Sequence, residues 1–208
     1  MTSVASAPGY RDLYYRWERE QWAAEGIDLG RDRSEWMTLA PDTAARLATQ
    51  ISILCTGKAR ITDLLVPFVD AAPSEEQQLF LTSQLVDEAR HAVFLDRLCS
   101  EVLRDTGVDM HERLIARAAE LPPGERVLFD ELTAVSERIR ANLSDPDAFR
   151  AGVRLYHLGI QAGRQLPAAL SLVEHLRDEG QLPGTRLGME MIARDLERHI
   201  SFGRLVLS

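Results

Sequence analysis

The sequence predicts an all-α protein, an antiparallel helix bundle behind an irregular N-terminal arm. Three observations carry that expectation. Apolar residues recur at helical spacing through most of the chain, no stretch alternates with the period of a strand, and Pro, Gly and Asp punctuate the pattern at long-helix intervals. Helices of that length, joined by short turns, bury their apolar stripes by packing antiparallel on one another.

The elements follow in order. Residues 1–40 read as an arm with short helical turns, rich in aromatic side chains: Tyr10, Tyr14, Tyr15, Trp17, Trp22 and Trp36. Residues 41–208 read as one bundle domain on which that arm packs. Its first helix takes Asp42 as N-cap and runs to about Asp70. The second opens at Ser74, ahead of Glu75 and Glu76, and stays periodic until Gly107. After a short connector, the run from Pro122 to Leu143 predicts a third helix, stopped by "SDPDA". A fourth spans Asp145 to Gly180, and a fifth runs from Leu182 to the chain end.

The 208 residues, 45 % hydrophobic and 27 % charged, suffice for one domain with a real core. A net charge of −8 without any basic run argues against a nucleic-acid partner. Cys55 and Cys99 lie far apart with no CxxC spacing, so both read as buried reduced thiols. The N-terminus lacks a charged-then-apolar leader pattern, and no apolar run reaches transmembrane length. The expectation is a cytoplasmic protein without a membrane span.

The chemistry-bearing stretch is "LVDEARHAVF", Leu85 to Phe94. Glu88 and His91 stand one helical turn apart and leave the same face. A carboxylate and an imidazole at that spacing are what a helix bundle uses to hold one edge of a two-metal centre. The last helix carries "RDLERH", with His199 at its end. Glu197, two residues before His199, points roughly 200° away around the helix. Asp195, four before, shares the His199 face.

With "EQWAAEGIDLGRDRSEWMTL" in the arm, then "DEARH", "LYHLGIQAG" and "LPGTRLGMEMIARDLERHISFG" in that order, nearly the whole chain resembles the small subunit of class I ribonucleotide reductase. That subunit is a ferritin-like bundle. The chain is still more similar to the ligand-binding oxidases related to it, which hold a mixed manganese–iron centre. The resemblance implies a ligand set that this sequence keeps only in part. The first ExxH is intact as Glu88 and His91. In the second, His199 remains but Leu196 stands where the ligand glutamate belongs. Gln161, five residues after Tyr156, replaces another glutamate, and its amide oxygen can coordinate only weakly. Ala59 stands at the third lost position, in "GKARIT". Asp195 takes the place of a group that hydrogen-bonds a ligand histidine.

One carboxylate cannot balance the +4 charge of two divalent ions in a buried place, so a dinuclear centre is not expected. Three alternatives stand open. Lys58, the only lysine, can place its ammonium beside Glu88 as a substitute cation. Its default reading, though, is a side chain that reaches solvent beside Arg60. Secondly, Glu88, His91 and His199, with Gln161 as a further ligand, make the two-histidine, one-carboxylate inventory of a mononuclear iron or manganese site. Thirdly, Glu88 with His91, and Asp195 with His199, can form satisfied polar pairs in the core. His157 and His175 read as structural or surface residues, and His111 carries no pattern. In the similar oxidases the counterparts of Tyr156 and Ile61 are joined by an ether crosslink, which requires oxygen activation and is not expected here. Those oxidases also bind a long-chain fatty acid, and the small apolar residues of "LGIQAGRQLPAALSL" permit a cavity for a hydrophobic ligand.

The sequence ends nine residues after His199, where a reductase subunit would continue with further helices and a docking tail, so a complete reductase subunit is not expected. Two classes of function remain. One is a non-catalytic member that binds a ligand or pairs with another subunit, as a homodimer or with a different chain. The other is a metal-dependent oxidoreductase with an altered centre, in which Lys58 and Tyr156 are the catalytic candidates.

Overall fold

The computed structural model describes residues 9–208, and among them every regular element is helical. In the arm, α1 spans Tyr10–Arg19 and α2 spans Gly30–Trp36. The bundle proper holds α3 (Pro41–Cys55), α4 (Ile61–Asp70), α5 (Glu75–Arg97), α6 (Met110–Ala119), α7 (Val127–Ala141), α8 (Pro146–Val153), α9 (Leu166–Asp178) and α10 (Pro183–Leu207). Two segments are wound more widely, as π-helical turns: Leu98–Leu103 prolongs α5, and Arg154–Gln165 joins α8 to α9 without a break.

Local chemistry sets most of the boundaries. Ser74 caps α5 by accepting from the Gln77 amide, and Asp145 caps α8 by accepting from Asp147 and Ala148. Pro41, whose missing N–H is no loss in a first turn, starts α3. The cap position there is Ala40, so Asp42 lies inside the first turn instead of capping it. The arm itself caps α10: Asp32 accepts from the amides of Gly184 and Thr185, and Glu35 from that of Leu182.

Two further expectations are corrected. The first helix of the bundle does not run unbroken to Asp70. It stops at Cys55, turns through residues 56–60 and restarts at Ile61. Gly57 adopts φ +77°, a left-handed conformation that costs glycine nothing, and a Cβ there would overlap the Phe129 ring lying across the turn. The connector after Gly107 is also not plain: it contains α6, capped by Asp109 accepting from the Glu112 amide at 2.9 Å.

The core divides into two apolar clusters. One is built from α3, α5, α9 and α10 around Leu47, Ile51, Phe94, Leu172 and Leu196. The other holds Phe68, Phe80, Phe149, Tyr156, Ile61 and Phe202, with the Phe80 and Phe202 rings stacked at 4.2 Å. Cys55 and Cys99, both buried and free, meet in the first cluster at 3.9 Å between sulfurs. No helix among the described residues is long and apolar enough to cross a membrane. Between the clusters lies a band of buried polar side chains.

Candidate functional site

That band forms where α5, α10, the wide turns after α8 and the turn at Gly57 converge. Glu88 is its centre and is fully buried. The Lys58 ammonium forms an ion pair with Glu88 Oε2, Tyr156 donates its hydroxyl to Oε1 at 2.6 Å, and Gln161 donates to the same oxygen at 2.9 Å. Lys58 is 4 % exposed, which overturns the reading that takes it to solvent: the break at Gly57 turns the segment so that this side chain points inward. Ala59, its neighbour, does not face the band. It lines a surface cavity with Gly57 and Phe129, so the side chain that reaches Glu88 from this segment is Lys58.

Tyr156 and Gln161 both reach one carboxylate oxygen because the helix between them is wide. Five residues along an α-helix lie roughly 140° apart, whereas a π-helix, bonded i→i+5, turns less per residue and brings the pair closer to one face. Tyr156 therefore stays a donor: burial first, then the charge of Glu88, pushes its phenol well above the ordinary range. Burial alone would raise the Glu88 pKa, but the Lys58 ammonium and the two histidines together outweigh it and hold the carboxyl well below the usual range.

The two histidines turn matching edges to Glu88. His91 Nδ1 lies 3.8 Å from Oε2 and His199 Nδ1 lies 3.6 Å from Oε1, and the latter accepts from Gln161 at 3.1 Å. Their Nε2 atoms point outward and each donates to an aspartate. Here the pairing is crossed. Asp195 does not bond His199 on its own helix but accepts from His91 on α5 at 3.1 Å, and Asp87 on α5 accepts from His199 at 3.0 Å. Such aspartates fix the orientation and tautomer of an imidazole. Trp22 and Trp17 from the arm donate to these two aspartates, at 2.9 and 3.0 Å. Arg198, almost fully buried, pairs with Asp87 and lies over the Phe80 ring.

The charges divide accordingly. Burial opposes the Asp87 anion, but the His199 hydrogen bond and the nearby cations overcome it and bring its pKa down to about 2. His91 is held above its ordinary value, since Asp195 and Glu88 together outweigh burial. His199, where burial wins over Asp87, is held below it. Leu196 is fully buried hydrocarbon in the first apolar cluster, and Glu197 is exposed. His157 is buried as well, with Nδ1 3.1 Å from the Val153 carbonyl and Nε2 3.0 Å from the Gln84 amide. His175 is half-buried and His111 exposed.

The sequence reading passed over Asp87, Arg198, Trp17 and Trp22. A signal was there. Asp87–His91 and Asp195–His199 have one spacing, each with an arginine directly before the histidine, so what was assigned to Asp195 had an equal candidate in Asp87.

No family model matches this chain. Its structure is similar to solved R2-like ligand-binding oxidases. Against the one from Sulfolobus acidocaldarius the TM-score is 0.83 with 20 % identity, over 100 % of this chain and 76 % of that one. Against a Tyr-to-Phe variant of such an oxidase, solved with an aerobically reconstituted Mn/Fe cofactor, it is 0.81 with 20 % identity, over 98 % of this chain and 74 % of the other. A Gly-to-Phe variant reconstituted anaerobically gives 0.82, with 19 % identity over 99 % and 76 %. At one residue in five identical the likeness carries the architecture: this chain has the ferritin-like fold of the R2-like ligand-binding oxidases.

Proposed function

We propose that this chain is a non-catalytic binding member of the R2-like oxidase fold, in which the Lys58 ammonium takes the place of metal at Glu88. The observation that carries this is the buried Lys58–Glu88 pair. An Mn/Fe cofactor, which the similar oxidases carry, does not fit the donors here. Glu88 is the one carboxylate between the two Nδ1 edges, Gln161 turns its NH2 rather than its oxygen toward that centre, and Leu196 offers no donor. Among the described residues, no group of three or more His, Cys, Asp or Glu is arranged to hold a metal ion. One ammonium against one carboxylate leaves no uncompensated charge, and Asp87 is matched by Arg198 in the same way.

The test is metal content by plasma mass spectrometry, on protein from iron- and manganese-supplemented growth, beside a His199→Ala sample. The expected result is well under one ion per chain in both. About one iron or manganese per chain, lost in the variant, would establish the second reading. That reading is a mononuclear oxidoreductase centre on Glu88, His91 and His199, favoured by the convergence of both Nδ1 atoms within 3.8 Å of Glu88.

For the partner we infer a second copy of the chain in the cytoplasm. On the outer face of α5, Leu79, Val86 and Val93 are 48, 46 and 44 % exposed at seven-residue intervals, with Thr82 and Ala89 between them. The helix begins with Glu75 and Glu76 and ends with Arg97. Two copies laid antiparallel about Val86 bring these apolar side chains together along one seam. Sedimentation should give a dimer that Val86→Glu turns into a folded monomer. A native monomer at tens of micromolar would remove the inference.

A further inference from the structure

Beside the Lys58 turn, two cavities lie back to back with one phenyl ring between them. The outer, about 170 Å³, is lined by Cys55, Ala59, Leu64, Leu114 and Ile115. The inner, about 10 Å³, is lined by Thr56, Leu121, Leu128, Ile160, Arg164 and Gln165. Phe129 lines both. Its half-buried ring lies across Gly57, where a side chain would collide with it, and it forms the wall that the two spaces share.

Gln165 gives the inner cavity its chemistry. It is 1 % exposed, yet neither its Oε1 nor its Nε2 makes a hydrogen bond with another described residue. Buried amides are ordinarily paired on both atoms. One acceptor and one donor side by side on Gln165, at the end of a pocket whose walls are mostly apolar, select a group that presents the complementary donor and acceptor. A carboxylate offers only acceptors and an ester has no donor; a primary carboxamide or a lactam offers both. The outer volume is close to that of a cavity of about 150 Å³ known to take benzene.

We propose that the two cavities, joined when the Phe129 ring swings aside, bind a small molecule with a carboxamide or lactam head and an apolar body the size of a benzene ring, the head paired with Gln165 and Phe129 acting as the gate. This rests on the binding-protein reading above, but it uses none of the residues around Glu88, so metal analysis tests the one and ligand titration the other.

The experiment is titration of the full chain with benzamide, methyl benzoate and benzoate, followed through the ligand NMR signals. Benzamide is expected to bind about 10-fold more tightly than either of the others, the worth of one completed hydrogen bond. Gln165→Leu erases that preference while methyl benzoate still binds, and Phe129→Ala raises affinity for all three. Ala118→Trp, which fills the outer cavity away from Gln165, abolishes binding and covers the case in which the Gln165 variant does not fold. Absence of benzamide binding in both the native chain and Phe129→Ala overturns the proposal. So does equal affinity for the three probes, a preference that survives Gln165→Leu, or binding that survives Ala118→Trp.

Discussion

Asp87–His91 on α5 and Asp195–His199 on α10 are the same five-residue arrangement built to two different ends. In both, the aspartate accepts from the histidine of the other helix, and a tryptophan of the arm donates to it. They differ at the residue after the aspartate. Glu88 keeps a buried charge and gathers Lys58, Tyr156 and Gln161 around it, while Leu196 joins the hydrocarbon of the core. In the outer ring, both aspartates are paired with an imidazole Nε2 and an indole of the protein itself, while His91 Nδ1 on the inner side makes no hydrogen bond with a described residue. The inner position needs a cation wherever a carboxylate remains, and nothing where it does not.

The comparison breaks most severely at Lys58. Lys58→Met leaves Glu88 buried without its partner and should lower the unfolding free energy by about 3–5 kcal/mol, with much of it recovered by adding Glu88→Gln. Denaturant titration decides this, and a loss below about 1 kcal/mol would mean that the ion pair does not hold the site together. Next come the two aspartates. Asp87→Asn strands Arg198 and should cost about 3 kcal/mol, whereas Asp195→Asn, which weakens the contacts to His91 and Trp22 without stranding a buried guanidinium, should cost about 1 kcal/mol. Equal losses would remove the asymmetry argued here.

The smallest effect is a slope. Burial brings the His157 pKa down to about 3. The fold therefore prefers this ring neutral. Its contribution is complete above the unfolded value near 6.5 and falls, by at most about 1.4 kcal/mol per pH unit, as pH drops toward the folded value. His157→Gln should flatten the pH dependence of stability across that window. An unchanged slope would assign the acid sensitivity to other groups.

The helices were legible because their periodicity is strong and their ends carry capping chemistry, as at Ser74 and Asp145. α6 was legible too and was passed over, although Asp109 is followed three residues later by Glu112. The break at Gly57 was not. A lone glycine in a helical pattern is usually tolerated, and what decides here is a ring from α7 lying across it. The inward course of Lys58 depends on that break and was hidden with it. The partner of Asp195 was misassigned for a related reason. Spacing along one helix shows which groups share a face, but both Asp195 and His199 face α5, and each finds its partner there.

The wide turns from Arg154 to Gln165 act as a phase shifter between the two ends of one continuous helix. A residue absorbed in a widened turn shifts every residue after it by roughly 100° from the face it would occupy in an unbroken α-helix. The rotation that brings Gln161 under Tyr156 also sets which side of α9 meets α3 and α10, where Leu172 and Leu176 are buried. Removing one residue from this segment would turn the donor away from Glu88 and roll those leucines out of their seam in a single movement. Centre and rim are geared together, and neither can be re-indexed alone.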